Sequence, residues 1–150
     1  MNKIIKTILE YFVLWCVGGA VYFLMETVWR SFGDNSSSHW SMLVLGGFMM
    51  VFLGVINQHY LTWNMNIFYQ MFIGMITITI SEFVCGCIVN LWLGWNVWHY
   101  EHFDILGQIC IPYMILWYFL SALAIIVDDF IRYWLFNEEK PHHYFFKKKK

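Results

Sequence analysis

Apolar and polar positions along this chain separate into four hydrophobic runs joined by short polar stretches. The runs cover about Ile8–Val28, Ser41–Val55, Ile67–Leu93 and Ile105–Val127. A helix rises about 1.5 Å per residue and the hydrocarbon core of a bilayer is about 30 Å thick, so about 20 apolar residues make a span. The second run is the shortest and draws Gln58 and His59 in at its interfacial end. The pattern predicts an all-α fold, a polytopic integral membrane protein of four transmembrane helices. Residues 1–136 form one helical domain, and residues 137–150 a polar and basic tail, closed off from the last helix by Pro141. Beyond the fourth run, Asp128, Asp129 and Arg132 read as an amphipathic exit lying on the inner surface.

Charge placement sets the orientation. Lys3 and Lys6 precede the first run, and Arg132, Lys140 and Lys147 to Lys150 follow the fourth. Arg30 stands alone at a loop on the other side, and the turn from Asn57 to Asn66 is uncharged. The positive-inside rule puts both termini in the cytoplasm, with or without the Lys147 to Lys150 run. The first run shows no small-residue cleavage site and reads as a retained anchor. Composition agrees: 60% of the residues are hydrophobic and 13% charged, which excludes an ordinary soluble domain. A formal net charge of −1 gives no reason to expect nucleic acid.

Glu82 is the one charge in the third run. An acid at mid-membrane costs several kcal/mol and marks a functional site by default. It shares a helical stripe with Gly74, Ile78, Gly86 and Asn90, so either it fixes helix packing, with Thr77, Thr79 or Ser81 nearby, or it is a proton or cation site on a path. Glu26 and Arg30 are four apart and suited to an ion pair at the outer end of the first run, where Gly18 is a further packing residue. Glycines 46, 47 and 54 suit close packing in the second run. Pro112 is expected to kink the fourth helix. His39, Trp98, His99, Tyr100, Glu101 and Asp104 gather on the outer side as interfacial residues. A metal site among them has only the weak His99-x-x-His102 spacing, so none is assigned. Cys16, Cys85, Cys87 and Cys110 read as small apolar filler. There is no G-x-x-x-x-G-K-[ST], G-x-S-x-G or H-E-x-x-H, no cofactor is expected, and no nucleophile–base arrangement suggests an enzyme.

Glu82-Phe83-x-x-Gly86, then Trp98-x-Tyr100, then Gly107-Gln108-Ile109-Cys110 resembles the ABC-transporter type IV family, also called CmpB-like. That family reads E-[FY]-x-x-G, W-D-Y-S, P-F-N and G-[QR]-I-C. The similarity reaches back through Gly18-Gly19, Glu26, Trp29-Arg30 and His39-Trp40-Ser41-Met42. It runs forward through Trp117 to Asp128-Asp129 and Arg132-Tyr133, covering most of residues 11–137. W-D-Y-S is Trp98-His99-Tyr100-Glu101 here, P-F-N is His102-Phe103-Asp104, and a polar stretch from about Phe32 to Ser38 is extra. If the outer loop carries the family's activity, this member binds something different. The resemblance implies a small, permease-like membrane protein, of a kind found in bacteria and phages.

The reading that follows is a small transport or pore-forming component of the cell membrane, with Glu82, Asn90, Glu26 and Arg30 as the polar stripe of its path. Its expected partners are the lipid bilayer and further copies of itself, a homo-oligomer shielding those polar side chains, along with an unidentified protein. The alternative is a non-enzymatic adaptor or lipid-binding protein that uses the outer aromatic loop.

Overall fold

A computed structural model describes residues 3–33, 38–58 and 65–138. The expected outer loop at Asp34 lies outside the described residues. So do most of the inner turn, with His59, and the tail with Lys140, Pro141, His142, His143 and Lys147 to Lys150.

Four α-helices carry the fold: α1 (Lys3–Ser31), α2 (Trp40–Gln58), α3 (Ile67–Gly86) and α4 (Ile111–Phe136). α3 runs on into a π-helical turn, Cys87–Trp92. Between that turn and α4 lies a small antiparallel hairpin, β1 (Asp104–Ile105) and β2 (Ile109–Cys110), with Asp104 opposite Cys110 and Ile105 opposite Ile109. α1, α3 with its π-turn, and α4 are each long and apolar enough to cross a membrane; α2 is apolar but shorter.

The distribution of polarity is the reverse of a water-soluble bundle. Ile8, Phe12, Phe72, Ile80, Ile115 and Phe119 face outward, while Glu10, Gln70, Glu82, Asn90, Asp128 and Arg132 are buried. Apolar helix faces turned outward and polar side chains turned inward are what a hydrocarbon solvent selects.

α1 packs most extensively on α2, and α3 on α4. Glycine makes the first contact possible. A Cβ at Gly18 would lie 2.1 Å from Met50 Cβ, and one at Gly46 2.3 Å from Tyr22 Cβ, so only hydrogen fits between these backbones. At the second contact, a Cβ on Gly74 would meet Ser121 Oγ at 2.6 Å. Glu10 meets Arg132 and Trp29 meets Tyr113, so α1 and α4 run antiparallel. α1 touches α4 sparsely, which leaves that seam the open side of the bundle.

Helix ends follow local chemistry. Asn66 caps α3 by accepting a hydrogen bond from Phe68 N at 3.1 Å. α4 begins at Ile111, later than its hydrophobic run, because Ile105–Cys110 is committed to the hairpin. Pro112 therefore sits in the first turn, where a missing N–H costs nothing, and the expected kink gives way to a helix start. The expected surface exit is corrected as well. α4 continues unbroken to Phe136, and Asp128, Asp129 and Arg132 are buried within the bundle. Of the cysteines read as filler, Cys110 is buried, whereas Cys16 faces outward.

Candidate functional site

α3 carries Glu82 on its buried stripe, and the residue is 3% exposed. Trp117 of α4 donates its Nε1–H to Glu82 Oε2 at 2.9 Å, and Tyr100 from the loop donates its hydroxyl to Oε1 at 2.9 Å. The partners expected from sequence are engaged elsewhere. Thr77, Thr79 and Ser81 each donate back to the carbonyl four residues earlier, at Ile73, Met75 and Thr77, a bond always available to a helical hydroxyl. Glu82 thus meets two neutral donors, and no ion pair reaches it among the described residues.

On α1, Arg30 Nε donates to Glu26 Oε1 at 2.7 Å, the i,i+4 pair the spacing predicts. Arg30 also donates through Nη2 to Val97 O at 2.8 Å. Instead of reaching out to the headgroups, this guanidinium ties α1 to the loop.

These groups share a cavity of about 390 Å³. Glu26, Arg30, Glu82 and Tyr100 all line it, together with the rings of Tyr22, Tyr113 and Trp117. Trp98 and His99 line it too, so part of the outer aromatic loop folds inward. Burial first, and then the neighbouring Glu82 charge, hold the Tyr100 phenol well above its ordinary range, keeping it a hydroxyl donor.

Asn90 belongs to the same buried stripe but not to the chamber wall. The π-turn brings it inward, where Oδ1 accepts from Val97 N at 2.7 Å and Nδ2 donates to Gln108 Oε1 at 2.8 Å. Gln108, 1% exposed, in turn donates to Leu106 O and accepts at its own carbonyl from Trp98 Nε1. Asn90 is therefore the peg on which the loop hangs. Gly86 gives that loop room: a Cβ there would meet Gln108 Oε1 at 2.6 Å and Trp98 at 3.0 Å. His99 lies over Gly107, whose positive φ and missing Cβ admit the ring. Asp104 accepts from Gly107 N, and Glu101 is exposed. His39 bonds Ser41 Oγ at 2.9 Å and packs on Trp40 and Trp95, outside the chamber lining. Among the described residues, no three metal-ligand side chains converge.

A second polar centre lies at the opposite end. Arg132 pairs with Glu10 of α1 and with Asp128 one turn earlier, and Gln58 Nε2 donates to Asp129 Oδ1 at 3.0 Å. The sequence signal was Glu10 itself, an acid inside a hydrophobic run, together with the i,i+4 spacing of Asp128 and Arg132. Their meeting joins residues from the two ends of the chain.

Outward-facing apolar helices around buried, mutually bonded polar side chains define a membrane protein, and the polar chamber gives it a site. The family model described as "Putative ABC-transporter type IV" matches residues 10–145, and the chain belongs to that family. No curated protein and no solved structure matches it.

Proposed function

We propose that this protein is a small, permease-like transport component of the cell membrane. Its four helices all cross the bilayer, both termini lie in the cytoplasm, and the Glu82 chamber is the substrate site. The proposed role is non-enzymatic: the chamber binds and passes its substrate unchanged. One observation carries the reading. A carboxylate without a counter-cation among the described residues faces a cavity of about 390 Å³ in a membrane protein of a transporter family. Such a group favours a cation or a proton over an anion.

Homo-oligomerisation loses the reason first given for it, because a single chain buries Glu82 to 3% and Asn90 to 6% exposure. The proposed path lies within one chain, and self-association would serve assembly instead of shielding.

Proteoliposome flux tests the proposal. Glu82→Gln keeps the shape and removes the charge: its amide oxygen can still accept from Trp117 Nε1–H, while its NH2 turns the Tyr100 bond round by donating to the phenol oxygen. Cation or proton flux should fall to the empty-liposome level while the variant still purifies with the wild-type elution volume. Equal flux from both proteins would take Glu82 off the path. The second reading, a lipid- or partner-binding adaptor, is favoured by the exposed rings of Trp92 (80%) and Phe103 (77%) beside the loop. It predicts no flux from either protein.

A further inference from the structure

The polar chamber does not end at its aromatic wall. A second cavity of about 110 Å³ shares Tyr22, Met25, Trp117 and Leu120 with it, so the two are neighbours along the bundle. This second space is walled almost wholly by hydrocarbon, including Val17, Met49, Leu53, Ile78 and Leu123. The rim of the pair is exposed on both sides of the open seam: Val21 (45%) and Met25 (41%) on α1, Leu116 (42%) and Leu123 (50%) on α4. Apolar rim residues on the outer face of a membrane bundle meet lipid, so the entrance is lateral.

We infer that the site takes an amphiphilic ammonium ion. The cationic head sits in the chamber against Glu82, and the alkyl tail lies in the apolar cavity and out through the α1–α4 seam. This rests on reading the chamber as the substrate site, and it names the substrate's chemistry.

Three features select that class. The first is charge. Glu26 is matched by Arg30, whereas Glu82 is held by neutral donors, so with both acids ionised and His99 neutral the chamber carries one net negative charge. The second is the chain of aromatic rings in the lining. Tyr100 and Tyr113 lie 5.4 Å apart, Tyr113 and Trp117 6.5 Å, and Trp117 and Tyr22 6.3 Å between centroids. An aromatic-rich lining beside a carboxylate favours a weakly hydrated organic cation, because a ring quadrupole attracts it without replacing a tight water shell. The third is the adjoining apolar space, which a small inorganic cation would leave unused. An amine-bearing phospholipid fits less well. Its phosphate would enter beside Glu82 and Glu26, and Arg30 is already committed to Glu26 and to Val97 O.

The test is equilibrium binding of decyltrimethylammonium to the full chain in phosphatidylcholine nanodiscs, with empty nanodiscs as the partition baseline. Binding should be saturable above that baseline. It should weaken roughly thirtyfold or more in Glu82→Gln, the usual scale for removing one partner of a desolvated charge pair. Ala124→Leu, which fills the apolar cavity, should weaken decyltrimethylammonium binding and leave tetramethylammonium binding unchanged. Decyl sulfate at the same bilayer concentration should not compete, nor should phosphatidylethanolamine built into the disc. If tetramethylammonium binds as tightly as the decyl compound, with dependence on Glu82 but not on Ala124, the amphiphile is overturned and the cation-transport reading stands. If neither amine shows binding that depends on Glu82, the organic cation is overturned, and the transport reading then stands or falls on the proteoliposome flux of Glu82→Gln alone. Competition by decyl sulfate or by phosphatidylethanolamine would reassign the site to an anionic amphiphile or to a lipid.

Discussion

Tyr100 and Trp117 reach Glu82 from 18 and 35 positions away in the chain, and each spends its polar hydrogen on one carboxylate oxygen. That arrangement makes Tyr100 a titration probe of the site. Its phenol is buried and faces the Glu82 charge, so the folded protein keeps it neutral to higher pH than the unfolded chain does. Below about pH 10 neither state ionises, and Tyr100 makes no difference to the pH dependence of stability. Above that, the unfolded chain gives up the proton and the folded one does not, so stability falls as pH rises. The contribution is about 1.4 kcal/mol per pH unit. Denaturant unfolding between about pH 9 and pH 11.5 should show a steeper decline for the wild type than for Tyr100→Phe. Parallel slopes would mean that the phenol is not held as the geometry has it. At the other end of the bundle, Arg132→Met leaves Glu10 and Asp128 buried without their cation. It should cost about 3–5 kcal/mol of stability, read as a lowered thermal midpoint in nanodiscs. Glu82 was legible in the sequence because it is a lone charge in a hydrophobic run. Its partners were not, because no local spacing links positions so far apart. The nearby hydroxyls of Thr77, Thr79 and Ser81 were the natural guess from proximity, and the helix's own carbonyls claimed them.

Among the elements, the helices were readable from hydropathy and their junctions were not. The third run, Ile67–Leu93, matches α3 and its π-turn closely, because the two follow one another without a break and together form one apolar span. The fourth run began too early, since Ile105, Leu106, Ile109 and Cys110 are as apolar as a helix but fold as a hairpin. Gly107, with φ +68°, was the local sign of that turn. The i+4 row of Gly74, Ile78, Glu82, Gly86 and Asn90 pointed to one face, and the structure buries that whole face. What it packs against depends on α4 and the loop, which the row alone could not name. Gly86 supplies the element-scale test. Leucine there would press on Gln108 and Trp98 and lift the loop from its Asn90 peg. Overpacking of this kind typically costs about 1–3 kcal/mol. Gly86→Leu should also expose the 93–110 loop to protease at a rate the wild type does not show. Unchanged cleavage and an unchanged unfolding midpoint would mean that the loop does not rest on this glycine.

For the whole molecule, the two polar centres mark the two ends of the bundle. The Glu26–Arg30 pair and the loop lie at one end, and the Glu10–Arg132–Asp128 cluster at the other. If the helices cross the bilayer as proposed, Lys6 and Arg132 belong to the cytoplasmic end and the loop at Glu101 to the outer one. The charge bias that gives this orientation is small, so a single contrary residue matters. Arg30 is that residue, and its engagement with Glu26 and Val97 O explains how a cation is tolerated on the outer side. Single cysteines on a background lacking the native four decide the matter. Glu101 is exposed in the loop, and Lys6 lies near the start of α1, half-buried beside Glu138. A membrane-impermeant maleimide applied to intact cells should modify the Glu101→Cys protein and spare Lys6→Cys until the membrane is permeabilised. Labelling of Lys6→Cys in intact cells, with Glu101→Cys protected, would invert the proposed orientation. The lateral entrance between α1 and α4 would survive that result, because it depends on the seam and not on which side of the membrane the termini occupy.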